Sequence, residues 1–388
     1  MISRKIQDEL LASAKEYPSV TILGPRQSGK TTLAQMAFPG KPYCSLEDPD
    51  IRRQAINDPR GLLHGFPDGV ILDEIQTVPE LLSYLQGIID QNQKPGRFIL
   101  IGSHQPEVHQ AVSQSLAGRT AILELLPFSF EELQQYGRPV LSPFDMIILG
   151  FYPRLHENQL RPNRFFGSYL STYIERDLRA LINLKDLTRF EEFLRLLAGR
   201  IGQLVNYTAL SNDVGVSSTT IKNWISVLKA SYIIFELPPF FTNIRKRVMK
   251  SPKLYFTDVG LAAWLIGLEN AEQVERDPLR GSLYENLLIM EVVKIILNRG
   301  KRQNLHFYRD TKGNEVDLLI CEGRIFTAVE IKSAKTFQPE FISGIQHFQQ
   351  AFQDDKTAIN GKVWYNGGQK TTYRNIEISN PLIHEFTW

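Results

Sequence analysis

Cysteine is nearly absent. Cys44 and Cys321 are the only two, far apart and in no CxxC or Cys/His grouping, which argues against a disulfide scaffold or structural zinc and points to a reducing compartment. No apolar run is long enough to span a bilayer. The opening MISRKIQDELL puts acids and glutamine where a secretory signal needs an unbroken apolar core, so a cytoplasmic location without a membrane partner is expected. Neither sign of charge is in excess: 44 Lys and Arg against 42 Asp and Glu leave a net charge of +2, so any surface for nucleic acid must be local. No NKxD base-reading motif is present, which weighs against a GTPase, and no arginine-rich lid, which weighs against a small-molecule kinase. The 388 residues suffice for two or three domains at about 100–200 residues each.

The stretch GPRQSGKT, Gly24 to Thr31, fits the phosphate-binding pattern GxxxxGK followed by Ser or Thr at every specified position. An apolar run ending in Val20, Ile22 and Leu23 precedes it and reads as a buried parallel strand; Thr31, Thr32, Leu33 and Ala34 open a helix. Across the loop Gly24, Pro25 to Ser28 and Gly29, the glycines are expected to let backbone N–H groups, other than at Pro25 which has none, turn onto phosphate oxygens at the positive end of that helix. Lys30 would reach the terminal phosphates and the Thr31 hydroxyl would ligate Mg²⁺. Arg26, Gln27, Ser28 and Thr32 belong to the same expected ATP contact.

GVILDEIQ, Gly69 to Gln76, sets an apolar strand immediately before Asp73 and Glu74. Carboxylates just past the C-terminal end of a parallel strand lie beside the phosphate loop. Asp73 is expected to hold Mg²⁺ through water, and Glu74 to polarise the attacking water. A further strand, RFILIG, ends in Ser103 and His104, either of which would sense the terminal phosphate. SQSLAGRTAILEL then reads as a helix with Arg119 near its end and a strand from Thr120 to Leu125.

GPRQSGKTTLA, VILDEIQ, LIGSHQ and SLAGR together resemble the prokaryotic ATP-binding proteins of the AAA superfamily, and the resemblance extends through YIERDL, KSPKLYFTDVGLA and EVDLLI with VEIK. It implies an α/β chain: a P-loop AAA-type parallel sheet with a helical lid, a winged helix and a C-terminal restriction-endonuclease-like α/β domain. The expected division is 1–138 ATPase core, 139–189 linker and lid, 190–253 winged helix-turn-helix and 254–388 nuclease-like domain. Many AAA proteins place an arginine on a neighbouring subunit's nucleotide. Arg119 and Arg176 are the two candidates, and a homo-oligomer follows if either acts so.

Within 190–240, Phe193, Leu196, Leu197 and Ile201 space one helix and Tyr207 to Val214 a second; Gly215 to Ser217 form the turn. A third helix capped by Ser217 or Ser218 would bury Ile221, Trp224, Ile225 and Leu228 and expose Thr219, Thr220, Lys222, Asn223 and Ser226, residues suited to base-edge or phosphate contacts with DNA. Arg245, Lys246, Arg247, Lys250 and Lys253 would add phosphate contacts.

The last part of the chain reads as a separate α/β unit. Glu285 falls in the apolar stripe of a helix with Ile289, Val292 and Ile296, where burial without a partner is costly. Three strands follow: Leu305 to Arg309, Glu315 to Ile320 and Ile325 to Lys332. Strict alternation would put Val316, Leu318 and Ile320 on one face and Glu315 and Asp317 on the other. Asp317, a twelve-residue gap, then Glu330-Ile331-Lys332 is the signature of restriction-endonuclease-like nucleases. Asp317 and Glu330 would ligate Mg²⁺ or Mn²⁺, Glu285 would complete the shell better than Glu291, and Lys332 would position water. The expectation is Mg²⁺-dependent ATP hydrolysis coupled to DNA binding or processing; the alternative is an ATP-switched interaction protein whose nuclease-like domain does not cut.

Overall fold

The computed structural model describes residues 2–103, 114–137, 141–172, 187–241, 251–352 and 358–388. Its first sheet comprises β1 (Ser19–Gly24), β2 (Tyr43–Ser45), β3 (Val70–Asp73), β4 (Phe98–Ser103) and β5 (Thr120–Glu124). The order is β2-β3-β4-β1-β5, and every pairing is parallel. A parallel sheet is covered on both faces, so its inner strands read as unbroken apolar runs. β1, β3 and β4 are buried throughout. Val20, Ile22, Ile71 and Ile99 meet Ile6, Leu10 and Leu33 on one face, while Leu23, Leu72 and Leu100 meet Leu81, Leu82, Leu85 and Ile89 on the other.

The stretch expected as a linker before Arg161 is packed structure. Helices Pro143–Leu149 and Pro153–Glu157 bury Phe144, Met146, Ile147 and Leu155. The prolines mislead because each opens a helix: Pro143, Pro153 and Pro162 stand in first turns, where the missing N–H costs nothing. Within the stretch expected as linker and lid, a helix spans Pro162–Tyr169; Glu175, Arg176 and Asp177 lie outside the described residues, as do His104, Arg245, Lys246, Arg247 and Lys250.

Three helices, Leu187–Ala198, Tyr207–Val214 and Ser218–Ala230, then lead into an antiparallel pair, β6 (Ile234–Leu237) with β7 (Lys253–Phe256). Ser217 caps the third helix by accepting from Thr220 N–H at 3.1 Å. That helix buries Ile221, Trp224, Ile225 and Leu228 and exposes Thr219, Lys222, Asn223 and Ser226. The expected domain boundary after residue 253 cuts β7, whose pairing with β6 assigns it to the segment before it.

The last sheet has the order β12-β13-β11-β10-β9-β8: β8 (Leu305–Arg309), β9 (Glu315–Glu322), β10 (Ile325–Lys332), β11 (Ala358–Tyr365), β12 (Thr371–Tyr373) and β13 (Ile376–Ser379). β8, β9 and β10 form an antiparallel meander; β10 pairs parallel with β11 after the helix Ser343–Phe352. β9 carries one residue more than β8 opposite Phe307. This bulge breaks the expected alternation: Val316 packs beneath the helix Ser343–Phe352, whereas Leu318 and Ile320 join the larger core.

One helix, Arg280–Asn298, runs through that larger core with Leu283 to Ile296 buried apart from Glu285. Its charged residues are matched one by one. Glu291 accepts from Phe130 N–H at 2.7 Å and from Lys294 at 2.6 Å, and Lys294 also donates to Phe128 O at 2.9 Å. Breaking a buried pair on one side leaves an uncompensated charge, which costs about 3–5 kcal/mol. Glu291→Ala should lower unfolding stability by that amount in urea titration, and Glu291→Leu with Lys294→Met should recover most of it.

Candidate functional site

The phosphate loop joins β1 to the helix Lys30–Ala37. Gly29 holds φ at 90°, a conformation strained for any residue with a Cβ, and the helix it opens has no side-chain cap. Its first N–H groups therefore remain available to an anion. Lys30 folds back: its Nζ donates to the carbonyls of Gly24 at 3.0 Å and Pro25 at 2.7 Å. Burial pulls its pKa down to about 8, against the opposing pull of Glu74 and Asp73. Thr31 donates through Oγ1 to Asp73 Oδ2 at 2.6 Å, and Tyr43 donates to the same oxygen at 2.8 Å.

Asp73 is the last residue of β3, so strand pairing fixes it beside the loop. Glu74 follows with φ 57°, a left-handed backbone uncommon outside glycine, and its carboxylate accepts from Gln76 Nε2. Burial raises the Glu74 pKa, with Lys30 and Arg26 opposing. β4 lies between β1 and β3, and Ser103 at its end pairs with Gly24. Gln27 Oε1, Ser28 Oγ, Gln76 Oε1 and Ser103 Oγ are buried without a hydrogen-bond partner among the described residues. Buried polar groups are ordinarily satisfied, so orphans on the phosphate loop and on the polar stretches after β3 and at the end of β4 suit a polar ligand there.

Beneath the loop lies Arg4, which sequence reasoning missed. Its guanidinium is buried and donates to Ser28 O at 2.7 Å, Leu126 O at 2.7 Å and Glu132 Oε1 at 3.0 Å. Nothing in the sequence around Arg4 signals this; an arginine in a polar N-terminal run reads as surface. Arg119, a candidate for a neighbouring subunit's nucleotide, stands away from the loop of its own chain. It sits at the start of β5, where its O accepts from Ser19 N–H at the opposite end of β1, and both its Nε and a terminal nitrogen bind Asp90, at 2.6 and 2.9 Å. A strand of that length separates it from the loop by about 15 Å or more, so it does not touch the nucleotide of its own chain.

A second cluster forms where β7, β9, β10 and the helix Arg280–Asn298 meet. Lys332 Nζ binds Glu330 Oε2 at 2.7 Å and Asp317 Oδ2 at 3.2 Å; Ile331 N–H donates to Asp317 Oδ2 at 2.8 Å. Gly344 permits this packing, since a Cβ there would lie 2.3 Å from Glu330 Oε1. Glu285 is elsewhere engaged: it accepts from Tyr255 OH and from Lys253 Nζ, the latter at 3.1 Å. Lys253 also contacts Glu315 Oε1 and stands 3.8 Å from Asp317 Oδ1. Burial raises the Glu285 and Glu330 carboxyls; for Asp317 the two ammonium groups outweigh burial and hold it low.

The expected three-carboxylate metal shell is thus not formed. Asp317, Glu330, Lys332 and Glu285 are neighbours, but Lys253 lies between Glu285 and Asp317, and among the described residues no group of three acids, histidines or cysteines is placed to hold a metal ion.

Residues 16–134 match a family described as AAA domain. The N-terminal part of the chain is an AAA-type P-loop ATPase domain. Residues 142–272 and 280–382 match two further families, each described as a domain of unknown function (DUF8612 and DUF4143). An uncharacterized protein of Mycobacterium tuberculosis is 28% identical over 321 residues, 82% of this chain and 71% of that one. An uncharacterized protein of Haemophilus influenzae is 19% identical over 327 residues, 76% of this chain and 79% of the other. Among solved structures, a Walker-type ATPase of Pyrococcus abyssi aligns over 67% of this chain and 94% of its own, at 16% identity and a TM-score of 0.47. No helix among the described residues is long and apolar enough to cross a membrane.

The ATPase domain fits Mg²⁺-ATP. Thr31 Oγ1 would ligate the ion and Asp73 would hold it through water, the ion when bound neutralising phosphate charge; the loop N–H groups and Lys30 would receive the phosphates. Glu74 would hold and deprotonate the attacking water. Burial holds the Lys30 pKa down to about 8 and a bound polyanion raises it again, so ATP binding at pH 9 should take up a proton and binding at pH 6.5 should not. Affinity should fall as pH rises through 8, by up to about tenfold per unit. Titration calorimetry in buffers of different ionisation enthalpy reads the proton directly; equal heats at pH 9 would refute the assignment.

Proposed function

We propose that this chain is an Mg²⁺-dependent ATPase that uses its nucleotide state to switch DNA engagement by the winged-helix segment and the domain behind it. The observation that carries this reading is a buried polar path leaving the phosphate loop. Ser28 O accepts from Arg4, and Arg4 binds Leu126 O and Glu132. Glu132 forms a capping box with Ser129, and the adjoining Phe128 and Phe130 backbone binds Lys294 and Glu291 of the helix Arg280–Asn298. Earlier on that helix, Asn286 holds both backbone groups of Phe256 in β7, at 2.7 and 2.9 Å. A change in loop conformation is therefore felt at the hairpin through rigid, satisfied groups. The strand order helix-β8-β9-β10-helix-β11 supports a restriction-endonuclease-like layout for the last domain, and the ammonium among its acids favours a domain that holds nucleic acid or a partner rather than cutting it. Arg119, at the start of an edge strand, is the arginine this reading offers to a neighbouring subunit's nucleotide in a homo-oligomer.

Two measurements test the proposal. Lys30→Ala should abolish ATP binding, whereas Glu74→Gln should retain binding and slow turnover by about a hundredfold or more, as loss of a general base does; unaltered steady-state hydrolysis in both would sink it. For DNA, the exposed Lys222→Ala should weaken binding of unrelated sequences alike and lower the slope against log salt by about one. Fluorescence anisotropy at two salt concentrations, with ATP and with ADP, would exclude a DNA role if neither affinity nor salt slope moved.

A further inference from the structure

We infer that Lys253, brought in from the winged-helix hairpin, is the built-in counter-ion of the last domain's acidic cluster and closes that cluster to divalent metal. The inference rests on the nuclease-like reading of the domain and concerns why its acids hold no metal shell.

The geometry makes Lys253 an occupant rather than a neighbour. Its Nζ lies 3.1 Å from Glu285, in contact with Glu315 and 3.8 Å from Asp317. Three acids from a helix and a bulged strand thus face one ammonium, which fills the position among their oxygens that a divalent ion would need. The side chain is 5% exposed, its ammonium stands over the Phe307 ring at 5.7 Å from the centroid, and its strand is anchored on both sides. Tyr255 donates to Glu285, and Asn286 pairs with the Phe256 backbone. Lys253 therefore cannot swing to solvent as a surface lysine would; withdrawing it means parting β7 from the helix. Lys332 holds Glu330 and the other oxygen of Asp317 from the far side, and the Arg309 guanidinium stands 3.5 Å from Glu315. Two fixed ammonium groups and this guanidinium thus offset most of the charge of the four clustered carboxylates, and a divalent ion entering beside Lys253 would have to displace its ammonium. The cation Lys253 supplies comes from a different matched segment of the chain, 142–272, than the acids do, 280–382, so the closure belongs to the assembled protein.

The test uses the full chain in an Asp73→Asn background, so that the nucleotide site holds no ion, and manganese alone as probe. Electron paramagnetic resonance of free Mn²⁺ should show no site in the Lys253 protein up to millimolar concentration. Lys253→Met should gain one site, at least about tenfold tighter, and its melting temperature should rise with Mn²⁺ as ligand linkage requires. Should Lys253→Met fail to fold, the variant that also carries Glu315→Gln has one buried charge fewer and serves the same reading. A manganese site in the Lys253 protein involving Asp317 overturns the inference, as does a folded lysine-free variant that gains no site. ATP turnover and DNA anisotropy of the chain with Asp73 intact report separately on the proposed function: they can fail while the manganese result stands, and the reverse.

Discussion

Burial of the helix Arg280–Asn298 is the constraint on which the rest of the molecule depends. A helix that is apolar all round must be covered all round, and this one still carries Glu285, Asn286, Glu291 and Lys294 in its covered stretch. Each of these polar groups dictates a neighbour. Glu291 and Lys294 fix the Phe128–Phe130 backbone just past the ATPase sheet, Asn286 fixes the end of β7, and Glu285 fixes Tyr255 and Lys253. Because an unpaired buried charge is so costly, these contacts orient the ATPase sheet, the hairpin and the last sheet about one rod. Apolar packing alone would leave more freedom, since it is not directional.

The nucleotide site shows the same economy of satisfied charge. Lys30 is held by the loop's own carbonyls and Thr31 by Asp73, so the two side chains proposed to serve the phosphates and the ion are already fixed at the loop without a ligand. The cost is visible in the lowered Lys30 pKa and the raised Glu74 pKa, both driven first by burial. Polyanion and divalent ion together reverse these conditions: phosphate charge favours charged Lys30, and the ion relieves the carboxylates. Binding therefore redistributes protons as well as contacts, and the backbone oxygen of Ser28 on Arg4 gives the loop its mechanical connection to what lies behind it.

In the last domain the acids are at the positions the motif predicts, yet their chemistry is decided by a residue outside the motif. Asp317 and Glu330 sit on adjacent strands with Lys332 beside them. The bulge in β9 turns Asp317 so that it serves Lys332 with one oxygen and faces Lys253 with the other. Each of the four carboxylates has a cationic partner, Lys253, Lys332 or Arg309.

The sequence by itself determined everything that depends on neighbours along the chain. The GPRQSGKT loop between an apolar strand and a helix, Asp73 and Glu74 at a strand's end, the three helices ahead of the hairpin, and the bounds of β8 and β10 all follow from periodicity, glycine and strand-end position, which are local properties. Tertiary structure decided what local pattern cannot carry. Prolines at 143, 153 and 162 begin packed helices, because a first-turn proline and a linker proline are identical in sequence. Arg119 ends up at the far end of the sheet through parallel pairing with β1. Arg4 and Lys253 acquire their roles only by meeting partners more than a hundred residues away in the one case and some thirty to sixty in the other. A charge's function is set by the charges around it, and for buried groups those come from distant parts of the chain.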